Sequence, residues 1–379
     1  MKTRLYFIDN IRWSMIILVL SMHASDTYSP FGNWYYTDRQ HLSLGGRVFF
    51  ATYQSYLQGF FMALLFFISA YFAPASCDRK GAAHYVRDRF VRLMVPTLLY
   101  IIAIGPLTEY YVSRSWTGGG GFGHQWLQHL TDGEWLSGTG PMWFCAVLFA
   151  FSLIYASVRL PTERAQRQPP VAVGPAPTVL ASLGFILAMT MGSFAVRIFI
   201  PSGKSVLNIQ PADMPQYALM FSAGVLAARG QWLERPLPRA PVAMGIAALA
   251  ASCALWMAIV AFAVERPGEA ARLNGGLNLA SALKCLWEAL VCVGMSYLLL
   301  ALYRKYFNDQ RRAARFLSDN AFAVYLFHPP ILILCAILIH GAGMPGPAKA
   351  ALLTAIAALA AFAASALIFR RIPYLRRVL

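Results

Sequence analysis

Apolar runs of about 20 residues recur along this chain from one end to the other, and each is closed by Arg-rich, Gly-rich or Pro-rich residues. A run of that length crosses the hydrocarbon core of a bilayer as an α-helix, which satisfies its own backbone hydrogen bonds there. Only 13% of the residues are charged, which is roughly half the share found in soluble domains. The sequence therefore predicts an all-α, polytopic integral membrane protein.

We predict about ten membrane-spanning helices that form a single membrane domain over residues 1–379. Their approximate bounds are 11–28, 53–74, 93–112, 140–158, 179–200, 213–228, 242–263, 277–301, 316–339 and 348–369. The connection 159–178 is rich in proline, a composition typical of linkers rather than of packed elements. We predict that it is a cytoplasmic linker between two spans.

The distribution of Lys and Arg predicts the orientation of the spans. If the N-terminus lies in the cytoplasm, the cytoplasmic connections carry 22 of the 32 basic residues and the opposite connections carry 6. This bias follows the positive-inside rule and places both termini in the cytoplasm. The net charge of +16 is then explained by topology and by contacts with lipid or phosphate, and it does not indicate a nucleic-acid partner. The six cysteines have no metal-binding spacing, so no metal site is predicted.

Four polar residues interrupt the first predicted span: Asp9, Arg12, His23 and Asp26. At 100° per residue they share one stripe of the helix, and Arg12 and His23 are separated by a rise of about 16 Å. An ionisable residue at such a depth is costly and usually marks a pathway or an active site. The alternative is a histidine that only packs against a neighbouring helix. We expect Asp9 to pair with Arg12.

Two arginines precede the third predicted span. Arg89 and Arg92 are three residues apart, and Pro96 follows one turn later. Two guanidinium groups on one face of a helix can bind phosphates in a bidentate manner. The alternative is a pair of basic anchors that only obey the positive-inside rule.

Two long connections on the predicted outer side interleave glycine with aromatic residues, among them Trp34, Trp116, Trp126 and Trp135. Flat aromatic faces beside polar groups suit the apolar faces of sugar rings. The alternative is an aromatic belt at the membrane interface. The loops therefore suggest a carbohydrate ligand without establishing one.

Polar residues also occur inside late spans. Lys284 and Glu288 are four residues apart, and we expect them to form an ion pair along one helix. His328 precedes Pro329 and Pro330, which should kink the ninth span. His328 either lines a tunnel for the acceptor or bonds a carbonyl that the kink frees.

Five segments together resemble the integral-membrane acyltransferase 3 family. They are "IDNIRWSMIILVLSMHA", "FFISAYF", "RDRFVRLMVP", "GPMWFCAVLFAFSLIY" and "NAFAVYLFHPPIL", in the order and spacing of the family motifs across almost the whole chain. The second segment has Ala70 where the family has glycine, which leaves the local helix packing open. The long aromatic first loop is most similar to that of the glucan biosynthesis protein C branch.

The resemblance implies an O-acyltransferase that transfers groups other than aminoacyl groups. Cytoplasmic acyl-CoA, as acetyl-CoA or succinyl-CoA, would supply the group, and a hydroxyl of a glycan or polysaccharide across a bacterial inner membrane would receive it. His23 would be the general base, and Asp26 would orient its ring. Residues expected to bind the coenzyme A donor are Arg12, Arg89, Arg92 and Asp9, and those expected to bind substrate are Ser69, Trp143, His328 and Trp34.

Two other classes of function fit parts of this pattern. A transporter or flippase for a glycan precursor would also carry intramembrane charges and proline breaks. An inverted repeat would favour it, but residues 1–190 and 190–379 have no convincing internal similarity. A non-catalytic partner could anchor a glycan-synthesis complex, and its polar residues would then be replaceable.

Overall fold

The computed structural model describes residues 4–39, 41–117, 121–131, 133, 135, 138–165 and 176–376. Within these ranges the chain is helical and has no β-strand, which confirms the all-α prediction. The helices are α1 (Tyr6–Tyr28), α2 (Leu44–Tyr71), α3 (Ala73–Lys80), α4 (Ala82–Arg89), α5 (Val95–Leu99), α6 (Gly105–Thr117), α7 (Phe122–Thr131), α8 (Trp143–Ala165), α9 (Val179–Phe199), α10 (Met214–Arg229), α11 (Arg239–Glu265), α12 (Leu279–Tyr306), α13 (Arg312–Leu338), α14 (Gly346–Leu367) and α15 (Pro373–Arg376).

Eight helical segments in the described part of the chain are long and apolar enough to cross a membrane. They are Leu44–Lys80, Ala82–Val112, Gly140–Arg159, Val179–Phe199, Arg239–Glu265, Leu279–Tyr306, Arg312–Leu338 and Gly346–Arg371, and each contains one predicted span or most of it. The other two predicted spans correspond to α1, whose polar residues lower its hydropathy, and to α10, which has 16 residues. The count of ten and the sides of the termini stay predictions.

The third predicted span begins earlier and is less regular than the sequence suggests. Between α4 and α6 the helix contains two π-helical turns, Phe90–Met94 and Tyr100–Ile104. Pro106 has no N–H to bond the carbonyl of Ile102, four residues before it. The indole N–H of Trp126 in α7 donates to that carbonyl at 2.7 Å instead. Part of the connection predicted as a loop is thus a helix that supports the span.

The connection predicted as a linker over 159–178 also differs at its start, because α8 continues to Ala165. Residues 166–175 lie outside the described part of the chain. The contacts divide the chain into two compact units. The first comprises Met1–Ile11, Gln58–Asp88 and Leu148–Asp309, and the second comprises Arg12–Leu57, Arg89–Val147 and Gln310–Leu379.

Small residues let helices approach closely inside the first unit. A Cβ atom built on Gly224 in α10 would lie 2.2 Å from the carbonyl oxygen of Phe67 and 2.8 Å from the Cβ of Ala70, both in α2. The contact explains how alanine is accommodated at the position where the family has glycine. Ala70 faces a residue without a side chain, and Gln216 adds a hydrogen bond from its Nε2 to the carbonyl of Gly59, at 2.8 Å.

Gly224→Ala should therefore destabilise the protein. The new methyl group overlaps a backbone carbonyl that cannot rotate away, and overpacking of this kind costs about 1–3 kcal/mol. The measurement is thermal unfolding of the detergent-solubilised protein. Gly184→Ala in α9 is the matched control, since a Cβ there meets nothing within 4 Å and alanine favours the helix by about 1 kcal/mol. Equal stability of the two variants would contradict this packing.

Candidate active site

The candidate site is built around His23, near the C-terminal end of α1. This helix is continuous from Tyr6 to Tyr28, as the predicted rise between Arg12 and His23 requires. The Nδ1 atom of His23 lies 3.1 Å from Oδ2 of Asp26. A carboxylate can only accept a hydrogen bond, so Nδ1 is the donor, and in the neutral ring Nε2 then keeps its lone pair. Nε2 has no hydrogen-bond partner among the described residues, and 21% of the His23 side chain is exposed.

Asp26 is held in place from two further sides. Gln54 in α2 donates from Nε2 to Oδ1 of Asp26 at 2.6 Å. Gly32 in the following loop has φ +81°, and a Cβ on it would lie 2.2 Å from the same Oδ1. The left-handed backbone and the lack of a side chain both require glycine at this position. The carboxylate is therefore oriented by α1, α2 and the loop together.

The indole of Trp34 covers one face of the His23 imidazole. Their ring centroids are 3.8 Å apart and the planes differ by 14°. The His328 ring is 5.4 Å from His23 and 6.1 Å from Trp34, also nearly parallel to both. The distance between Trp34 and His328 is much shorter than the sum of their distances to His23, so the three ring centroids are not in line. His23 therefore does not lie between the other two rings. Trp34 lies over its face and His328 lies to its side. We call these three side chains the His23 ring group.

The contacts of His328 bear on the two alternatives that the sequence leaves open, a tunnel for the acceptor or a hydrogen bond to a freed carbonyl. Its Nδ1 lies 2.8 Å from the carbonyl oxygen of Tyr325, the acceptor that Pro329 cannot bond because it has no N–H. His328 therefore does satisfy a carbonyl freed by the proline. The side chain is 0% exposed, and its Nε2 is buried without a hydrogen-bond partner within the described ranges. A role in binding substrate stays a prediction.

The loop over residues 29–39, which carries Trp34, contacts α14 and the turn between α13 and α14. Asp38 accepts from the ammonium of Lys349 at 2.8 Å and lies 3.3 Å from Nδ1 of His340. The hydroxyl of Tyr36 lies 3.1 Å from the same histidine nitrogen. Lys349 is 1% exposed, so this ion pair is sheltered from water. These contacts hold the loop that places the indole over His23.

The segment before Trp143 packs under the same loop. Gly140 has φ +48°, and a Cβ on it would lie 2.5 Å from the hydroxyl of Tyr35. Burial raises the pKa of Tyr35 to about 12, so its hydroxyl stays protonated at neutral pH. The next residue, Pro141, accepts a hydrogen bond from the hydroxyl of Tyr325. The predicted substrate residue Trp143 thus begins α8 within the same unit as His23.

The three arginines predicted to bind the donor belong to the second unit, as His23 does. Arg12 is half-buried in α1, and Arg89 is half-buried at the end of α4. Arg92 is exposed within the first π-helical turn. Such turns displace side chains from regular helical positions and are frequent at functional sites. The binding of phosphate by these residues stays a prediction.

Two other predicted site residues lie in the first unit. Asp9 forms an ion pair with Arg4 at 3.0 Å, a neighbour that the helical spacing did not single out, and its expected pairing with Arg12 stays a prediction. Ser69 is half-buried in α2, next to Ala70. The role of both in binding stays a prediction.

Sequence reasoning missed a buried ion cluster in the first unit. One guanidinium nitrogen of Arg197 lies 3.0 Å from Asp213 and 2.7 Å from Glu288, and Arg197 is 1% exposed. Arg197 in α9 thus reaches Glu288 in α12 across the helix packing, a contact that no local spacing signals. The expected ion pair of Lys284 with Glu288 stays a prediction.

Arg197→Leu should destabilise the protein by about 3–5 kcal/mol, because it removes the buried guanidinium that pairs with Asp213 and with the partly buried Glu288. Thermal or denaturant unfolding of the solubilised protein measures the loss. Arg272→Leu is the control, since Arg272 pairs with Glu269 at the surface and is 63% exposed. An exposed pair of this kind contributes about 0–1 kcal/mol. A loss at Arg197 no larger than at Arg272 would show that the cluster adds no stability.

A family model described as an acyltransferase domain matches residues 5–370. Neither the curated proteins nor the solved structures give a match. The matched range contains the whole His23 ring group, Asp26 and the three arginines.

Proposed function

The chain belongs to the acyltransferase 3 family, and from that premise we propose that it moves an acyl group from acyl-CoA to a glycan hydroxyl, with His23 as general base. The proposed donor is cytoplasmic acetyl-CoA or succinyl-CoA. The proposed acceptor is a glycan or polysaccharide on the other side of a bacterial inner membrane. The observation that carries the proposal is the contact of His23 Nδ1 with Asp26 at 3.1 Å, because a neutral ring that donates from Nδ1 has its Nε2 lone pair available to take a proton.

The proton and the acyl group balance within this arrangement. The Nε2 atom of His23 takes the proton of the attacking hydroxyl while its oxygen bonds the thioester carbonyl carbon. The carbon–sulfur bond then breaks, and the leaving thiolate takes the proton from the imidazolium. The products are an ester and free coenzyme A, and His23 returns to its initial state. Asp26 stabilises the imidazolium and keeps the ring in the Nδ1–H tautomer throughout, as an oriented carboxylate does in other His-based enzymes.

Basic and aromatic groups of the same unit suit the two substrates. We assign the phosphates of the donor to Arg12, Arg89 and Arg92, whose guanidinium groups remain charged at any physiological pH. Eleven residues of α1, about 16 Å, separate Arg12 from His23, a length that an extended pantetheine arm can follow. Trp34 offers a flat face for a sugar ring beside the reacting hydroxyl.

The direct test is reconstitution of the purified protein in liposomes. Acetyl-CoA or succinyl-CoA is supplied with a mixture of bacterial glucans, and the products are measured by mass spectrometry and by thiol release. We expect a glycan ester and free coenzyme A in equal amounts. Movement of unmodified glycan across the bilayer without ester would overturn the proposal and indicate a transporter. Absence of both would indicate a non-catalytic partner.

A further inference from the structure

The tautomer of His328 is determined by its neighbours. The carbonyl of Tyr325 only accepts hydrogen bonds, so the His328 nitrogen at 2.8 Å from it, Nδ1, must carry a proton. In the neutral ring, Nε2 is then an acceptor. This atom is buried and has no hydrogen-bond partner in the described part of the chain, and a buried polar atom left unpaired costs free energy that a bound ligand can recover.

A second unpaired polar atom lies in the same ring group. The indole Nε1 of Trp34 is buried and has no hydrogen-bond partner among the residues that the structure describes, and Trp34 is the ring that stacks on His23 at 3.8 Å. The rings around His23 therefore offer a ligand one unpaired donor and one unpaired acceptor, in addition to the basic nitrogen of His23. Hydroxyl groups satisfy both kinds of atom, because each can donate and accept.

The orientation of the rings determines how such a ligand can approach. The lone pair of an imidazole nitrogen lies in the plane of its ring, so a hydroxyl must approach Nε2 of His23 at the edge of the ring. Trp34 covers a face of the ring and leaves this edge open. The His328 ring lies to the side of His23, within 13° of parallel and at 5.4 Å between centroids. The indole is larger than the imidazole on which it stacks, so part of its face remains for contact with a ligand. A carbon ring that packs against this part of the indole can direct one hydroxyl to His23 and the adjacent hydroxyl to His328.

We propose that this site selects a vicinal diol. One hydroxyl gives its proton to His23, and His328 accepts a hydrogen bond through Nε2 from the hydroxyl on the adjacent carbon. His328 transfers no proton, and in this tautomer it cannot donate to the oxyanion of the thioester. Pro329 is a positioning residue, because its missing N–H frees the Tyr325 carbonyl that holds the His328 tautomer. This proposal rests on the proposed acyl transfer and names the acceptor class that the site takes.

Two simple alcohols test the proposal without knowledge of the natural acceptor. Both trans-cyclohexane-1,2-diol and cyclohexanol present an apolar ring, and only the first has a neighbouring hydroxyl. With acetyl-CoA as donor, we expect kcat/KM to favour the diol by about 5- to 100-fold, the effect of satisfying a buried polar group. Equal rates per hydroxyl, or acylation of neither alcohol by protein that acylates glucans, would overturn the proposal.

Variants separate hydrogen bonding from packing. His328→Phe should reduce the preference to the statistical value for two equivalent hydroxyls. His129→Phe is the matched control, since His129 is also buried and its Nε2 has no partner among the described residues, but it is not part of the His23 ring group. It should keep the preference for the diol. Loss of the preference in both variants would attribute it to packing alone and contradict the assignment.

The tautomer has its own measurement, which does not depend on acyl transfer. Nitrogen-15 NMR of protein labelled at its seven histidines, compared with the His328→Phe spectrum, assigns the His328 signals. We expect a protonated Nδ1 and an unprotonated Nε2. Pro329→Ala restores an N–H that competes for the Tyr325 carbonyl, so the Nε2–H form should appear and the preference for the diol should fall. A protonated Nε2 in the unmodified protein would overturn the proposal even if acyl transfer is confirmed.

Discussion

His23→Ala is expected to lower acyl transfer by about 10²–10⁴-fold, the contribution of a positioned general base. The side chain is the only member of the His23 ring group with both an oriented Nδ1–H and solvent-exposed surface. Without it, the attacking hydroxyl must lose its proton to water, and the leaving thiolate has no nearby proton. The loss should fall mainly on kcat, because the arginines that we assign to the donor are unchanged.

The measurement is thioester turnover by purified protein in liposomes, with an equal amount of folded protein verified by thermal unfolding. His124→Ala is the control, because His124 is exposed on α7 and has no role in the proposed chemistry. It should retain full activity. If His23→Ala turns over within a few-fold of the control, the base is another group and the role proposed for His23 is wrong.

The part of the site that lies on one helix could be predicted from the sequence. The helical period alone puts Asp26 one turn after His23, and the structure places their side chains in contact. The eight long apolar helices are also visible as hydropathy, since lipid exposure demands apolar residues along each span. Such features depend on residues close together in the chain, where periodicity determines which side chains are neighbours.

The contacts that orient this pair across the chain could not be predicted in the same way. Gln54 reaches Asp26 from the next helix, and Gly32 reaches it because the loop turns back with a positive φ. Trp34 was predicted to bind substrate, but its stacking on His23 was not predicted. The loop that carries Trp34 is held by the ion pair between Asp38 and Lys349, which are more than 300 residues apart in the chain. Tertiary packing decides such contacts, and a single sequence carries no periodic signal for them.

The contact of Arg197 with Glu288 was missed for the same reason. The i,i+4 spacing to Lys284 predicts a pair along one helix, worth about 0.2–0.5 kcal/mol at a helix surface. Arg197 reaches Glu288 from another helix, in a region largely sheltered from water where a carboxylate without a partner is costly. No spacing along the chain indicates that contact. His328 shows the reverse case, because the missing N–H of Pro329 is a local feature that correctly predicted a free carbonyl.

Asp26→Asn is expected to reduce acyl transfer by about 10²–10⁴-fold although the shape of the side chain is preserved. An asparagine can turn its amide N–H toward Nδ1 of His23, which then becomes the acceptor and leaves the proton on Nε2. The ring would be held in the tautomer that cannot act as a base, as happens when the aspartate of a Ser-His-Asp triad is replaced by asparagine. Nitrogen-15 NMR of His23 and turnover should change together.

A second route to the same effect leaves Asp26 in the chain. Gly32→Ala places a methyl group 2.2 Å from the Asp26 Oδ1 atom in the present backbone, so either the carboxylate or the loop must shift away from His23. Gly203→Ala is the matched control, because Gly203 also has a positive φ, of +90°, but no atom within 4 Å of its Cβ position. Both variants carry the backbone strain of a left-handed alanine. Only Gly32→Ala should lower kcat, and an equal loss in both would mean that strain, rather than the position of Asp26, limits the reaction.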